Sequence, residues 1–278
     1  MADTTESRGL HIYAIFLAFA TFLLVIAGGL VTSTGSALAV PDWPLSFGQF
    51  FPPMVGGVLF EHGHRLIGTA IGFLTIILAI WMWRSNLSSG VRKLGWWALG
   101  IVCAQGVLGG VTVLLKLPAF SSVAHACLGQ IFFSLMVCIA VLTGERESVP
   151  ILLPPLQATK LRRLALMTTG FVFLQLVAGA IYRHTGKAFH VHLLGALLVF
   201  VHVILLSRRI LSESAFSSVL RTPALTALVL LAVQVGLGWF SWRLPSVTVT
   251  TAHVAVGALL LATTAVISVQ SYRQEVMA

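Results

Sequence analysis

Long apolar runs alternate with short polar stretches along the chain, and eight of them stand out, at 12–33, 61–83, 94–115, 122–142, 162–182, 189–208, 223–242 and 247–269. A hydrocarbon core about 30 Å thick takes roughly 20 apolar residues per helical crossing, so each run predicts one transmembrane helix. The runs lack the polar–apolar alternation of a membrane strand, which excludes a β-barrel. Eight crossings return the chain to its starting side, and the connections are too short for a separate soluble domain. Ala37-Leu38-Ala39 after the first run resembles a signal cleavage site. The run itself is longer than the roughly 7–15 residues of a secretory apolar region, and Asp3 and Glu6 precede it where a basic cluster belongs, so it is read as a span. No Arg-rich, acid-poor transit segment is present, which favours a bacterial plasma membrane over an organelle.

Composition supports this pattern. Hydrophobic residues make up 58% of the chain and charged ones 9%, with a mean hydropathy of +0.97, which excludes a water-soluble enzyme or a nucleic-acid-binding module. The formal net charge of +9 reflects topology. Twelve of the seventeen Lys and Arg fall on the side of the termini, among them Arg8, Arg84, Arg92, Lys93, Arg146 and Arg273. Lys116, Arg183, Lys187 and Arg243 fall on the other side and Arg65 within the second run, an excess that predicts both termini inside. Cys103, Cys127 and Cys138 all lie within predicted helices, so no structural disulfide is expected.

The chain repeats itself. Gln105-Gly106-Val107-Leu108-Gly109, Leu117-Pro118 and His125 recur as Gln234-Val235-Gly236-Leu237-Gly238, Leu244-Pro245 and His253. His64 and His192 are 128 residues apart, as are His125 and His253. The expected fold is an all-α integral membrane protein of two tandem four-helix bundles, 1–150 and 151–278. An even number of crossings in each half makes the repeat parallel, about an axis along the membrane normal.

Nine histidines are many for so apolar a chain, because an imidazole in lipid is costly without a partner. His64, His125, His192 and His253 each fall within about two turns of the start of an even-numbered helix, on the outer side. A small residue follows each by four positions on the same face: Gly68, Gly129, Ala196 and Gly257. Imidazoles beside flat, small-residue surfaces suit a porphyrin held edge-on between helices. A proton pathway or plain packing also accounts for buried histidines. His62 and His190 lie on the opposite face, to meet heme propionates or line the interface, while His11, His184 and His202 read as structural.

The halves differ where chemistry is decided. Glu61 and His64 share a helical face, whereas the matching places in the second half hold Phe189 and His192, and Leu193 matches Arg65. The outer segment from about Thr34 to Phe60, rich in aromatic residues and proline, has a counterpart of barely six residues. A long loop over one site suggests a cover for a bulky apolar ligand, and an interfacial aromatic belt accounts for the same composition.

The run Gly28-Gly29-Leu30-Val31-Thr32-Ser33-Thr34-Gly35-Ser36, followed by Pro41-Asp42-Trp43-Pro44, Pro52-Pro53 and Glu61-x-x-His64-Arg65, resembles the heme A synthase family. The resemblance implies oxidation of a ring methyl of heme O to a formyl group, giving heme A for terminal oxidases. It assigns His64, His125 and Glu61 to the substrate heme site, in the half 1–150, where the buried Glu61 reads as the catalytic acid–base group. It assigns His192 and His253 to a permanent heme b, in the half 151–278. All four histidines are then axial ligands of heme iron. The first outer loop lacks the cysteine pair of some members, so a thiol-based electron route does not apply. The implied partners are membrane lipid, a heme O synthase and terminal oxidase assembly, with no nucleic acid. A transmembrane di-heme b-type electron-transfer cytochrome is the second reading, and a parallel-repeat transporter is the third.

Overall fold

The computed structural model describes residues 2–144, 154–212 and 218–273; Arg146 lies outside them. Eight helices account for nearly all of these residues: α1 (Ala2–Ser33), α2 (Gly57–Arg84), α3 (Ser89–Leu114), α4 (Ala119–Thr143), α5 (Pro155–Thr185), α6 (Phe189–Ser212), α7 (Ser218–Arg243) and α8 (Val247–Arg273). All eight are long and apolar enough to cross a membrane. Among the described residues the only β pairing is an isolated bridge between Ser46 and Gln49. The helices outrun the predicted apolar runs by a few residues, most at α1 and α5. Hydropathy marks the lipid-facing length, and the backbone hydrogen bonding continues into the polar interface.

Local sequence sets the helix ends. Proline at the start of α5 needs no N–H there, and Gly186, left-handed at φ 69°, ends that helix by donating its N–H to the Tyr182 carbonyl. Between α3 and α4 the chain reverses within a few residues. Leu117 N–H returns to the Thr112 carbonyl at 2.8 Å, and Pro118 precedes the first residue of α4.

The chain forms two compact units, Met1–Gly144 with Leu237–Ala255, and Glu145–Gly236 with Val256–Ala278. The first of these takes in the α7–α8 turn and its flanks. Thr251 donates its hydroxyl to Ser33 Oγ at 2.9 Å, and Gly29 lets the Thr251 methyl approach α1.

In the first unit α1 packs on α2 and α4, and α3 packs on the same two helices, so the four close into a ring. Its core holds Leu10, Leu17, Ile71, Leu78, Met82, Met136 and Ile139. Lipid tails remove most hydrophobic drive between helices, so close packing and small residues carry the association. Gly95 shows this: a Cβ there would lie 3.1 Å from the Ala79 backbone. The second unit gathers Leu161, Val203, Leu206, Ile210, Leu220 and Ile267 around one core. Thr169 and Ser268 add a hydroxyl pair at 2.9 Å.

Candidate functional site

The four singled-out histidines are residue eight of α2 (His64), seven of α4 (His125), four of α6 (His192) and seven of α8 (His253). Each imidazole rests on a glycine of the helix before it. A Cβ built on Gly28 would lie 3.0 Å from His64 Cε1, on Gly109 3.3 Å from His125 Cε1, on Gly179 2.9 Å from His192 Cε1 and on Gly238 3.1 Å from His253 Cε1. The rings are therefore seated by their Cε1 edge. At Gly179 and Gly238, Nδ1 is the nearer nitrogen, as it also is at Gly109. At Gly28 the two ring nitrogens of His64 are equally distant, at 3.6 Å, and absence of a side chain is what makes each seat possible.

The small residues one turn beyond the histidines do something other than expected. A Cβ on Gly129 would lie 2.8 Å from Gln105 Nε2, and one on Gly257 would lie 3.1 Å from Gln234 Nε2. A glutamine amide from the preceding helix fills these notches, so they are not open faces for a macrocycle. From there Gln105 donates to the His125 carbonyl at 2.9 Å. Gln175 donates to the His192 carbonyl at 2.8 Å, with its carbonyl end packed on Gly195. At Gly68 the notch stays open, with Leu24 Cδ1 3.9 Å from a built Cβ.

His64 and His125 face one another inside the first unit, with ring centroids 6.4 Å apart and planes at 82°. A metal–imidazole bond of about 2 Å on each side puts two axial rings about 6 Å apart, so the pair fits one iron between them.

A loop, 34–56, is latched to the start of α2, close in sequence to His64. Glu61, 4% exposed, accepts the Val40 N–H at 2.8 Å through Oε2 and pairs with Arg65 at 2.6 Å through Oε1. The Arg65 guanidinium donates to the carbonyls of Val40, Asp42 and Leu45 and to Ser46 Oγ. Ser46 Oγ also bonds His62 Nδ1 at 2.7 Å. Asp42 accepts the N–H groups of Phe47 and Gly48, and these bonds hold its carboxyl below the usual aspartate range, with Arg65 adding to the effect. Trp43 lies against Gly110 of α3, where a Cβ would come within 2.7 Å of the indole. The loop thus spans from α2 to α3.

Arg65 and His62 both bond the loop, partners that the sequence left open. His190 meets Phe189 edge-on. His11 Nδ1 contacts the Ala140 carbonyl at 2.9 Å, tying α1 to α4, and His202 packs on Phe171. The three cysteines are free. Phe189 stands against Tyr182 in the second unit, an apolar contact at the place where α2 carries Glu61.

Eight helices long and apolar enough to cross a membrane, with an imidazole pair close to the salt-bridged start of α2, define a multi-pass, all-helical membrane protein. The family described as COX15-CtaA, cytochrome oxidase assembly protein, matches over residues 55–192. Over that segment the chain is similar to this family, and the curated relatives it matches are heme A synthases. It is 29% identical over 150 residues to the heme A synthase of Methylobacterium sp. (strain 4-46), covering 49% of this chain and 42% of that protein. It is 27% identical over 183 residues to that of Shouchella clausii (strain KSM-K16), covering 64% and 60%. The match to that of Lysinibacillus sphaericus (strain C3-41) is 27% over 186 residues, covering 66% and 61%. The chain spans between 42% and 61% of these relatives' lengths.

Proposed function

We propose that this protein is a heme A synthase, which oxidises a ring methyl of heme O to a formyl group and so supplies heme A to terminal oxidases. The observation that carries the reading is the His64–His125 pair, 6.4 Å apart and close to the start of α2, where a buried carboxylate anchors the loop. His64 and His125 hold the substrate iron, and the loop over them excludes water. Glu61 is the acid–base group. Both its oxygens are engaged, so taking up a proton breaks its contact with Val40 or Arg65 and couples proton movement to the loop.

His192 and His253 hold a resident heme b, a reading supported by the glycine seats at Gly179 and Gly238 that match those of the substrate pair. Such a heme supplies reversible one-electron transfer. Phe189 in place of an acid is consistent with a site that modifies nothing. The charge distribution supports termini in the cytoplasm of a bacterium, two parallel four-helix halves and heme sites toward the outer side. Heme O is too apolar to cross water freely, which favours direct transfer from a heme O synthase and onward to oxidase assembly.

The common seat of all four histidines favours a second reading, a di-heme b-type electron-transfer cytochrome. That reading leaves the Glu61–Arg65 latch without a purpose. Replacing His192 or His253 with Ala tests the division of labour. The expected result is loss of the b-type reduced-minus-oxidised signal with heme O binding retained; an intact b-type spectrum in the double variant contradicts it.

A further inference from the structure

Near its start, α5 carries Thr159, Arg162, Arg163, Leu166 and Met167, residues three and four apart that share one stripe of the helix. With Tyr272 near the end of α8 they line a cleft of about 410 Å³ in the second unit. All but Arg162 are exposed. We propose that this cleft binds one anionic phospholipid of the leaflet at this end of the helices, its phosphodiester on Arg163 and Thr159 and an acyl chain along Leu166 and Met167.

Charge and depth carry the argument. Arg162 is held within the protein: its Nε donates to the Ser271 carbonyl at 3.2 Å, and its guanidinium lies over the Tyr272 ring, 5.1 Å from the centroid. These contacts join α5 to α8 and fix a positive charge at the wall of the cleft. Arg163, the next residue, is exposed and has no hydrogen-bond or ion-pair partner among the described residues. From Pro154 to Ala278 the sequence has only two acidic residues, Glu213 and Glu275, both outside the described residues. No acidic side chain lines the cleft, so an anion from outside the chain answers the charge of Arg163. The floor selects which anion. Leu166 and Met167, one turn further into the apolar span than the arginines, are 50% and 41% exposed. A free phosphate would meet the guanidinium and leave that floor bare. A phospholipid covers both, because its phosphate lies where an apolar helix meets the interface and its chains run down the helix. Basic pockets between transmembrane helices hold anionic head groups by this combination. Gly179, the seat of His192, lies about 25 Å further along α5 at 1.5 Å per residue, so the cleft and the histidines stand toward opposite ends of that helix.

The test is native mass spectrometry of the purified full chain in lipid-free nonionic detergent, titrated separately with phosphatidylglycerol, phosphatidylcholine and inorganic phosphate. Helix content of each variant is measured alongside. One phosphatidylglycerol per chain is expected to bind at concentrations where neither of the other two does. Arg163→Gln should weaken it by about fivefold, the contribution of one arginine near an anionic surface. Because Arg163 is exposed, this change leaves the Arg162 contacts between α5 and α8 in place. Arg208→Gln removes the same charge from an exposed position of α6 outside the cleft and should leave binding unchanged. Equal affinity for phosphatidylglycerol and phosphatidylcholine, inorganic phosphate bound as tightly as the lipid, or equal losses in Arg163→Gln and Arg208→Gln would overturn the proposal.

Discussion

A single missing side chain decides where each imidazole can sit. The Gly28 seat leaves 3.0 Å to His64 Cε1, closer than ordinary carbon contacts, so Gly28→Ala must push the ring away. We expect Gly28→Ala to lower or shift the substrate heme absorbance strongly, with Gly68→Ala, whose built Cβ meets only Leu24 at 3.9 Å, close to native. Equal effects of the two would show that the seat does not position the ligand. Asp42 offers a second check at this scale. Its carboxyl is held below the usual aspartate range by the Gly48 and Phe47 N–H groups, so its contribution to loop order is full at neutral pH and is lost as pH falls through that lowered value. Asp42→Asn should raise hydrogen exchange at Phe47 and Gly48 at neutral pH, and the native loop should reach similar exchange only in acid. The histidines were legible in the sequence because their spacing repeats. Their glycine seats were not, since Gly28, Gly109, Gly179 and Gly238 lie on other helices and small residues are common in any membrane bundle.

Between elements, the Glu61–Arg65 pair ties α2 to the loop 34–56. Glu61 and His64, three residues apart, were expected to share a face, yet the carboxylate turns to Val40 and Arg65. The acid could be singled out from sequence because the second half lacks it; its partners could not, because they lie in an irregular loop without periodicity. Arg65→Leu would leave the buried Glu61 carboxylate without its counter-charge, a loss of about 3–5 kcal/mol for buried pairs. Glu61→Gln keeps the size and the Val40 contact and removes the titrating site. Heme O binding should persist while conversion falls by about two to four orders of magnitude. Near-native conversion in Glu61→Gln would make Glu61 an anchor of the loop and nothing more.

For the whole molecule, hydropathy gave the helix count and connections, because a bilayer demands a fixed apolar length per crossing. The grouping of residues into units was less legible. Leu237–Ala255 joins the first unit through Thr251, Ser33 and Gly29, contacts between segments more than two hundred residues apart that no local pattern announces. The small-residue notches were misread for the same reason: Gly129 and Gly257 face glutamines of neighbouring helices. What unites the molecule is a hairpin in which one helix supplies a glycine seat and the next an imidazole, used repeatedly, with one copy close to an acid-anchored loop. The central claim is that this copy changes its heme. The most direct measurement is the identity of the pigment extracted from cells that make heme O and no heme A of their own, with and without this chain. Formyl-bearing heme that appears with the native chain and disappears with His64→Ala is the predicted result. Recovery of b-type heme alone, with heme O unconverted in both, would contradict the account.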